Sequence, residues 1–473
     1  MKRIISVIAA ALTLLPFVYI PKAKAVNFPL KNPIKSESAM LINLDCDTVV
    51  HEKNADVKQM PGPLVNIMTA VVVLEECDDL NKELTLDPDI YMHIYETLNE
   101  NGYSDDLPDC DLLDGDVLTV TDLLYCMMLT SSVEAAEMLA YYAGGDNVAA
   151  FVSKMNEKAA ALGMDSTNFT NPTGMYDTNQ YTTVRDMAVL TQYALTVPLF
   201  ENIATTYTYT PSVPNPERHE HMENWIWKHS NVMMDPDSAH YYMGAKGIKT
   251  ANLTAAGRNI ITLASKDGNN YLAVLMKAPF NDADGEVKFY HIEDATSLLN
   301  WGFNHFSYQT VLADTAELGE LSVTLADGND YVLARPKDEF TILWYDEIDT
   351  SLIKKDKIIW YKDTLQAPVK KGDLLGEVTL EYSGEQLGTV ELVAVSDVNR
   401  SRSKYNFEAA KRFGKSVWFK NALKISIILC VIYIVICVYS WIVFKSKAKP
   451  LKPIYAVPKM DKNKNKKKNK KDE

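Results

Sequence analysis

The period of the hydrophobic positions changes several times along the chain. "SAMLINLD" (38–45) and "TVVHEK" (48–53) are short strand-type runs that meet at a turn. Leu64, Ile67, Met68, Val71 and Val72 recur at i, i+3, i+4, i+7 and i+8, which predicts a helix with a broad apolar face. A second helical region covers 120–128 and 134–142 and stops at Gly144-Gly145. A third takes Asp146 as its N-cap, carries Val148, Phe151, Val152, Met155 and Ala159 on one face, and ends at Gly163. "NIITLAS" and "NYLAVLM" flank Lys266-Asp267-Gly268-Asn269, a hairpin signal. From about 308 to 398 only short strands are predicted, with "LSVTL" and "YVLAR" around Asp327-Gly328, and "EVTLEY" and "TVELVAV" around Gly384 and Gly388. The pattern predicts an α/β domain with an antiparallel sheet over 26–307 and a small all-β domain over 308–398.

The two ends follow other rules. Lys2 and Arg3 precede an apolar run from Ile4 to Ile20, then Ala23-Lys24-Ala25, which predicts a secretory signal peptide over 1–25. An uncleaved anchor is the alternative. Ile425 to Phe444 is a 20-residue run without charge. At ~1.5 Å per residue it spans about 30 Å, the thickness of a bilayer core. Residues 445–473 hold twelve lysines against three acids. Positive flanks stay inside, so the expectation is a single-pass protein of the cell membrane. Its ectodomain lies outside, 425–444 is the transmembrane helix, and 445–473 is a basic cytoplasmic tail too polar to fold. Residues 399–424 are basic with scattered aromatics, and suit either a juxtamembrane linker or a segment lying on the outer membrane surface.

Charge and cysteines narrow the function. With +4 on residues 1–25 and +9 on the tail, the −14 of the whole chain leaves −27 on residues 26–444. That balance argues against gripping anionic polymers by charge, and no nucleic-acid partner is expected. Cys46, Cys77, Cys110 and Cys126 fall outside the membrane, where disulfides are permitted. Four cysteines allow three pairings, and free buried thiols are equally open. His219-Glu220-His221 lacks the four-residue spacing of a helical zinc pair. "ENWIWKHSN" (223–231) reads as packing near the sheet rather than a sugar platform. No cofactor or metal is expected.

The order of several longer segments resembles one family. "LINLDCDTVVHEKNADVKQMPGPLVNIMTAVVVLEE", "LLYCMMLTSSVEAAEMLA", "FVSKMNEKAAALGMDSTNFTNPTGM", "YTTVRDMA" and "GAKGIKTANLTAAGRNIITLAS" occur in the sequence of the D-alanyl-D-alanine carboxypeptidases. These are the low-molecular-mass, serine-type penicillin-binding proteins. "APVKKGDLLGEVTLEYSGEQLGTVELVA" is similar to their C-terminal β domain. The resemblance implies a beta-lactamase/transpeptidase-like fold and a peptidoglycan stem peptide as ligand.

It also implies three catalytic motifs, and each is altered here. On the frame P-x-x-L-x-x-IMT, the Ser and Lys of Ser-x-x-Lys fall at Pro63 and Asn66. Proline has no nucleophile, and the asparagine amide is no base near neutral pH. In the family the nucleophile's own N–H resembles an oxyanion-hole donor, and Pro63 has none. Losing one such donor costs about 10²–10³ in rate. A helix tolerates proline in its first turn, so Pro63 removes chemistry and keeps the fold. Ser-x-Asn falls at Ser131-Ser132-Val133, and Lys-Thr-Gly at Lys249-Thr250-Ala251. Residues 54–72 hold no Ser or Cys and only Lys58, so no register shift restores the motif. The expectation is a non-catalytic homologue that binds wall peptide weakly or holds a cell-envelope protein partner. The alternative is an active enzyme using Ser131 with Lys249.

Overall fold

A computed structural model describes residues 28, 30, 33–103, 110, 112–211 and 226–447. The predicted signal peptide, most of the basic tail and His219-Glu220-His221 lie outside the described residues. The chain divides into two compact units, 1–318 with 335–361 and 374–393, and 319–334 with 362–373 and 394–473.

The first unit opens with the predicted hairpin, β1 (Ser38–Asn43) and β2 (Thr48–Lys53). A 3-10 turn, Gly62–Val65, leads into α1 (Asn66–Glu76). Then follow β3 (Glu83–Thr85), α2 (Pro88–Asn101), β4 (Val117–Thr119), α3 (Val120–Thr130), α4 (Val133–Ala143), α5 (Val148–Ala161), α6 (Val184–Ala194), α7 (Phe200–Ala204), β5 (Thr208–Tyr209) and β6 (Trp227–Lys228). β7 (Ala245–Leu253), β8 (Gly257–Lys266), β9 (Asn269–Ala278) and α8 (Tyr290–His305) complete the α/β body.

Five strands form an antiparallel sheet in the order β2-β1-β9-β8-β7. Asp267 and Gly268 both take positive φ, which builds the predicted β8–β9 turn with the twist a hairpin needs. α8 lies against β8 and β9. α1 is buried over Asn66–Val73, and α3, α4, α5 and α6 pack around it. A helix apolar on every side is stable only when enclosed in this way.

Local chemistry sets the helix starts. Thr119 and Asp122 make a capping box on α3, and Thr183 caps α6 by accepting from the Asp186 N–H. Asp87 caps α2 with Pro88 at the first helical position. One expectation shifts by a residue: Asn147, not Asp146, caps α5. Asp146 takes φ +60° in the turn, and the cap needs extended backbone, which Asn147 supplies. Trp227 of the 223–231 stretch is buried and stacks at 6.2 Å on Tyr209, so this residue packs as expected.

The rest of the first unit pairs β10 (Phe306–Leu312) with the later β13 (Phe340–Tyr345), β14 (Lys354–Trp360) with β16 (Leu374–Tyr382), and β16 in turn with β17 (Glu385–Ala394), all antiparallel. In the second unit β11 (Gly319–Thr324) pairs antiparallel with β12 (Tyr331–Pro336) and parallel with β15 (Leu365–Gln366). This is the predicted β-rich region, and its first strand begins at 306, two residues before the expected start at 308.

Beyond it the sequence reading is refined. The expected linker contains a helix, α9 (Arg402–Lys415), and the apolar run sits inside a longer one, α10 (Val417–Lys447). Ser416 separates them. Its backbone is extended, and its hydroxyl accepts from the Phe419 N–H at 3.2 Å, starting the second helix. α10 is the one helix among the described residues long and apolar enough to cross a membrane.

Candidate active site

The lip before α1 is built by Pro61, Gly62 and Pro63. Gly62 takes φ +58°, a conformation glycine adopts without strain, between two prolines that fix their own φ. Asn259 of β8 holds the lip by donating to the Pro61 carbonyl at 2.9 Å. The 171–175 loop presses from the other side: a Cβ on Gly174 would stand 2.1 Å from the Gly62 oxygen. Pro63 is buried here with neither hydroxyl nor N–H to offer.

Asn66 lies one turn on and is fully buried. Its Nδ2 donates to the Pro172 carbonyl at 3.2 Å, and Thr69 Oγ1 donates to the same oxygen at 2.7 Å. The amide therefore ties α1 to the 171–175 loop. Its Oδ1 finds no hydrogen bond among the described residues.

Ser131-Ser132-Val133 forms the sharp turn from α3 to α4. Ser131 ends α3 in the left-handed region at φ +71° and is half-buried. Ser132 caps α4, accepting from the Ala135 N–H at 3.0 Å and donating to Glu134 Oε2 at 2.7 Å. The other Glu134 oxygen accepts from the Tyr95 hydroxyl. Val133 has no exposed surface. It joins Ile94 and Leu98 of α2, Met175, Leu253 and Ala256 in one apolar cluster. At this position the family pattern has an amide that would meet a peptide backbone.

Lys249 sits on β7, fully buried. Its Nζ lies 2.9 Å from the Met127 and Met128 carbonyls and 2.7 Å from Ser131 Oγ. The last turn of a helix has carbonyls without intrahelical partners, so the amine caps α3. Burial pushes Lys249 down to about 7, while the nearby Cys110 and Cys126 thiols act to raise it. Both protonation states fit. The ammonium donates three bonds; the neutral amine donates to two carbonyls and accepts from the Ser131 hydroxyl. Beside it, Thr250 Oγ1 and Ser230 Oγ share a hydrogen bond of 2.7 Å. Ala251 is 3% exposed, and a Cβ on Gly62 would come within 3.2 Å of its methyl.

The fold thus gathers the sequence-selected positions 63, 66, 131–133 and 249–251 around one place, with the Asn66 amide nitrogen, the Ser131 and Ser132 hydroxyls and the Lys249 amine all bonded to other protein groups. Sequence reasoning missed Ser230, Asn259, Glu134 and the α2 residues Ile94 and Leu98. Only the ordinary capping signal at Ser132 and the apolar period of α2 hinted at them.

A serine-peptidase architecture of penicillin-binding type is what this sheet, the buried α1 and the three motif positions define. The family model for D-alanyl-D-alanine carboxypeptidase matches residues 22–280, and that for the penicillin-binding protein 5 C-terminal domain matches 306–400. The chain belongs to the D-alanyl-D-alanine carboxypeptidase family. It is 25% identical over 392 residues to D-alanyl-D-alanine carboxypeptidase DacA of Haemophilus influenzae, covering 80% of this chain and 89% of that one. It is 25% identical over 408 residues to D-alanyl-D-alanine carboxypeptidase DacF of Bacillus subtilis, covering 85% and 96%. Penicillin binding protein 5 from Haemophilus influenzae shares the fold with a TM-score of 0.54 at 23% identity, over 79% of this chain and all of that one.

Proposed function

We propose that this chain is a catalytically inactive member of its family, anchored in the membrane, with a scaffolding role at the cell wall. The carrying observation is Pro63 at the nucleophile position in a lip that is otherwise fully built. A reaction that begins with a hydroxyl attack on a peptide carbonyl has no attacking atom there. Asn66, in place of the base, spends its donors on a backbone carbonyl. Val133 and Ala251 face apolar neighbours where a stem peptide would need polar ones. These features support a partner-holding role over tight peptide binding. Domain limits at 307 and 398 and a single pass with the ectodomain outside are part of the same proposal. It is supported by the length of α10 and the lysine-rich tail.

The test is covalent labelling of the detergent-solubilised full chain with a fluorescent penicillin. No label on the wild type is expected. A Pro63→Ser/Asn66→Lys variant that labels would show that the groove admits the drug. Stoichiometric label on the wild type would sink the proposal.

One observation favours a second reading, a hydrolase built on Ser131. Its Oγ is 2.7 Å from an amine that burial holds near neutral pKa. Wild-type labelling that disappears in Ser131→Ala would establish it.

A further inference from the structure

Cys110 and Cys126 meet behind the Ser131–Val133 turn. Cys126 is fully buried on α3, and Cys110 is 5% exposed. Both sulfurs address one hydroxyl: Thr130 Oγ1 lies 3.1 Å from Cys110 Sγ and 3.7 Å from Cys126 Sγ. The two thiols also hydrogen-bond to each other. Burial first, and the Cys110 thiol second, hold Cys126 well above the ordinary thiol range. The other ectodomain cysteines lie elsewhere. Cys46 is exposed and bonds Asn43 and Thr48, and Cys77 is half-buried beside Glu76. Of the six pairs that four cysteines can form, the fold brings together the sulfurs of this one.

We propose that Cys110 and Cys126 are a disulfide-forming pair, oxidised in the extracytoplasmic compartment; the compartment, though not the pairing, rests on the placement proposed above. The oxidant is a disulfide, either a small molecule or a protein. The Cys110 thiolate attacks it, one oxidant sulfur leaves as a thiol, and a mixed disulfide forms. Cys126 then displaces the second oxidant sulfur. One S–S bond breaks and one forms, and the two cysteine protons end on the two reduced oxidant thiols. The cross-link closes a loop of about 15 residues and so restricts the unfolded chain. It joins the segment before β4 to α3 at the residue directly before the two whose carbonyls hold Lys249.

The test uses the full chain, quenched in acid as membranes are harvested, denatured, alkylated with N-ethylmaleimide and mapped by mass spectrometry without reduction. The expected result is a peptide linked through Cys110 and Cys126, with Cys46 and Cys77 alkylated. Reduction should lower the melting temperature by roughly 5 °C, and Cys126→Ser should abolish that response. A second arm reduces the purified chain and incubates it with oxidised glutathione, which tests the pairing whatever the compartment. Alkylation of both cysteines in both arms, or a bond from either one to Cys46 or Cys77, would overturn the pairing. A bond formed only in the glutathione arm would overturn the cellular oxidation and keep the pairing.

Discussion

Glu137 shows how one side chain sets a pH response. It is fully buried on α4, neither carboxylate oxygen has a hydrogen bond among the described residues, and burial pushes it up to about 8. The folded state therefore holds a proton that the unfolded state, near 4.5, releases. Stability from this group is full below about 4.5 and is lost as pH rises toward 8, by at most ~1.4 kcal/mol per unit. Lys249 acts in a higher window. Its folded value near 7 lies below the unfolded 10.5, so the unfolded state binds more protons between them and stability rises with pH there. In urea titrations, Glu137→Gln should gain on the wild type steadily from pH 5 to 8. Lys249→Met should lose on it from pH 7 to 9.5. Parallel curves would refute both assignments. Val133 gives a third expectation. Val133→Asn, which restores the family residue, places an amide in an apolar cluster and should cost about 1–3 kcal/mol. Equal urea midpoints for the variant and the wild type would show that the cluster opens to water.

At the scale of elements, the lip and the 171–175 loop are fitted to each other through two glycines. Gly174 has φ +82° and no room for a methyl, whereas Gly145 has φ +69° and nothing within 4 Å of its missing Cβ. Gly174→Ala should cost about 2–3 kcal/mol more than Gly145→Ala, because only the first adds a backbone clash to the left-handed strain. Equal unfolding midpoints for the two variants would mean that the loop moves freely off the lip. The Ser131 turn works similarly. α3 ends where Lys249 takes its carbonyls, and α4 starts two residues later where Ser132 caps it. The helices that begin at Asn66, Val120, Val133 and Val148 and the two hairpins of the sheet were legible because they depend on short spacings along the chain. The α5 start was misplaced by one residue because Asp and Asn are both good caps, and only the backbone turn at Asp146 separates them.

For the whole molecule the chain is organised by charge. The body is acidic, α9 is basic, and the tail carries twelve lysines. α10 has 31 residues, and at ~1.5 Å each it exceeds a 30 Å bilayer core by several turns. In the proposed single pass its ends would reach the headgroup level and place Trp418 and Lys445 there. In the proposed topology an impermeant maleimide added to intact cells should label Cys46, which is exposed on the first unit. A cysteine placed by Lys459→Cys in the tail should label only after permeabilisation. Labelling of the tail from outside would reverse the topology.

The sequence by itself determined the family, the succession of an α/β body and a β-rich region, one long apolar segment, and which residues stand at positions 63, 66, 133 and 251. These are local facts: a period, a cap, a turn residue, or proline where a hydroxyl is required. Tertiary structure alone decided what the altered residues do instead. Asn66 bonds a carbonyl 106 residues away, Lys249 closes the end of a helix more than 100 residues upstream, and Val133 finds its neighbours on α2 and β7. No period or spacing encodes such contacts, because they exist only once distant segments have packed. The same packing sets the pKa of Lys249 and Glu137, since burial is a property of the whole fold and not of any one residue.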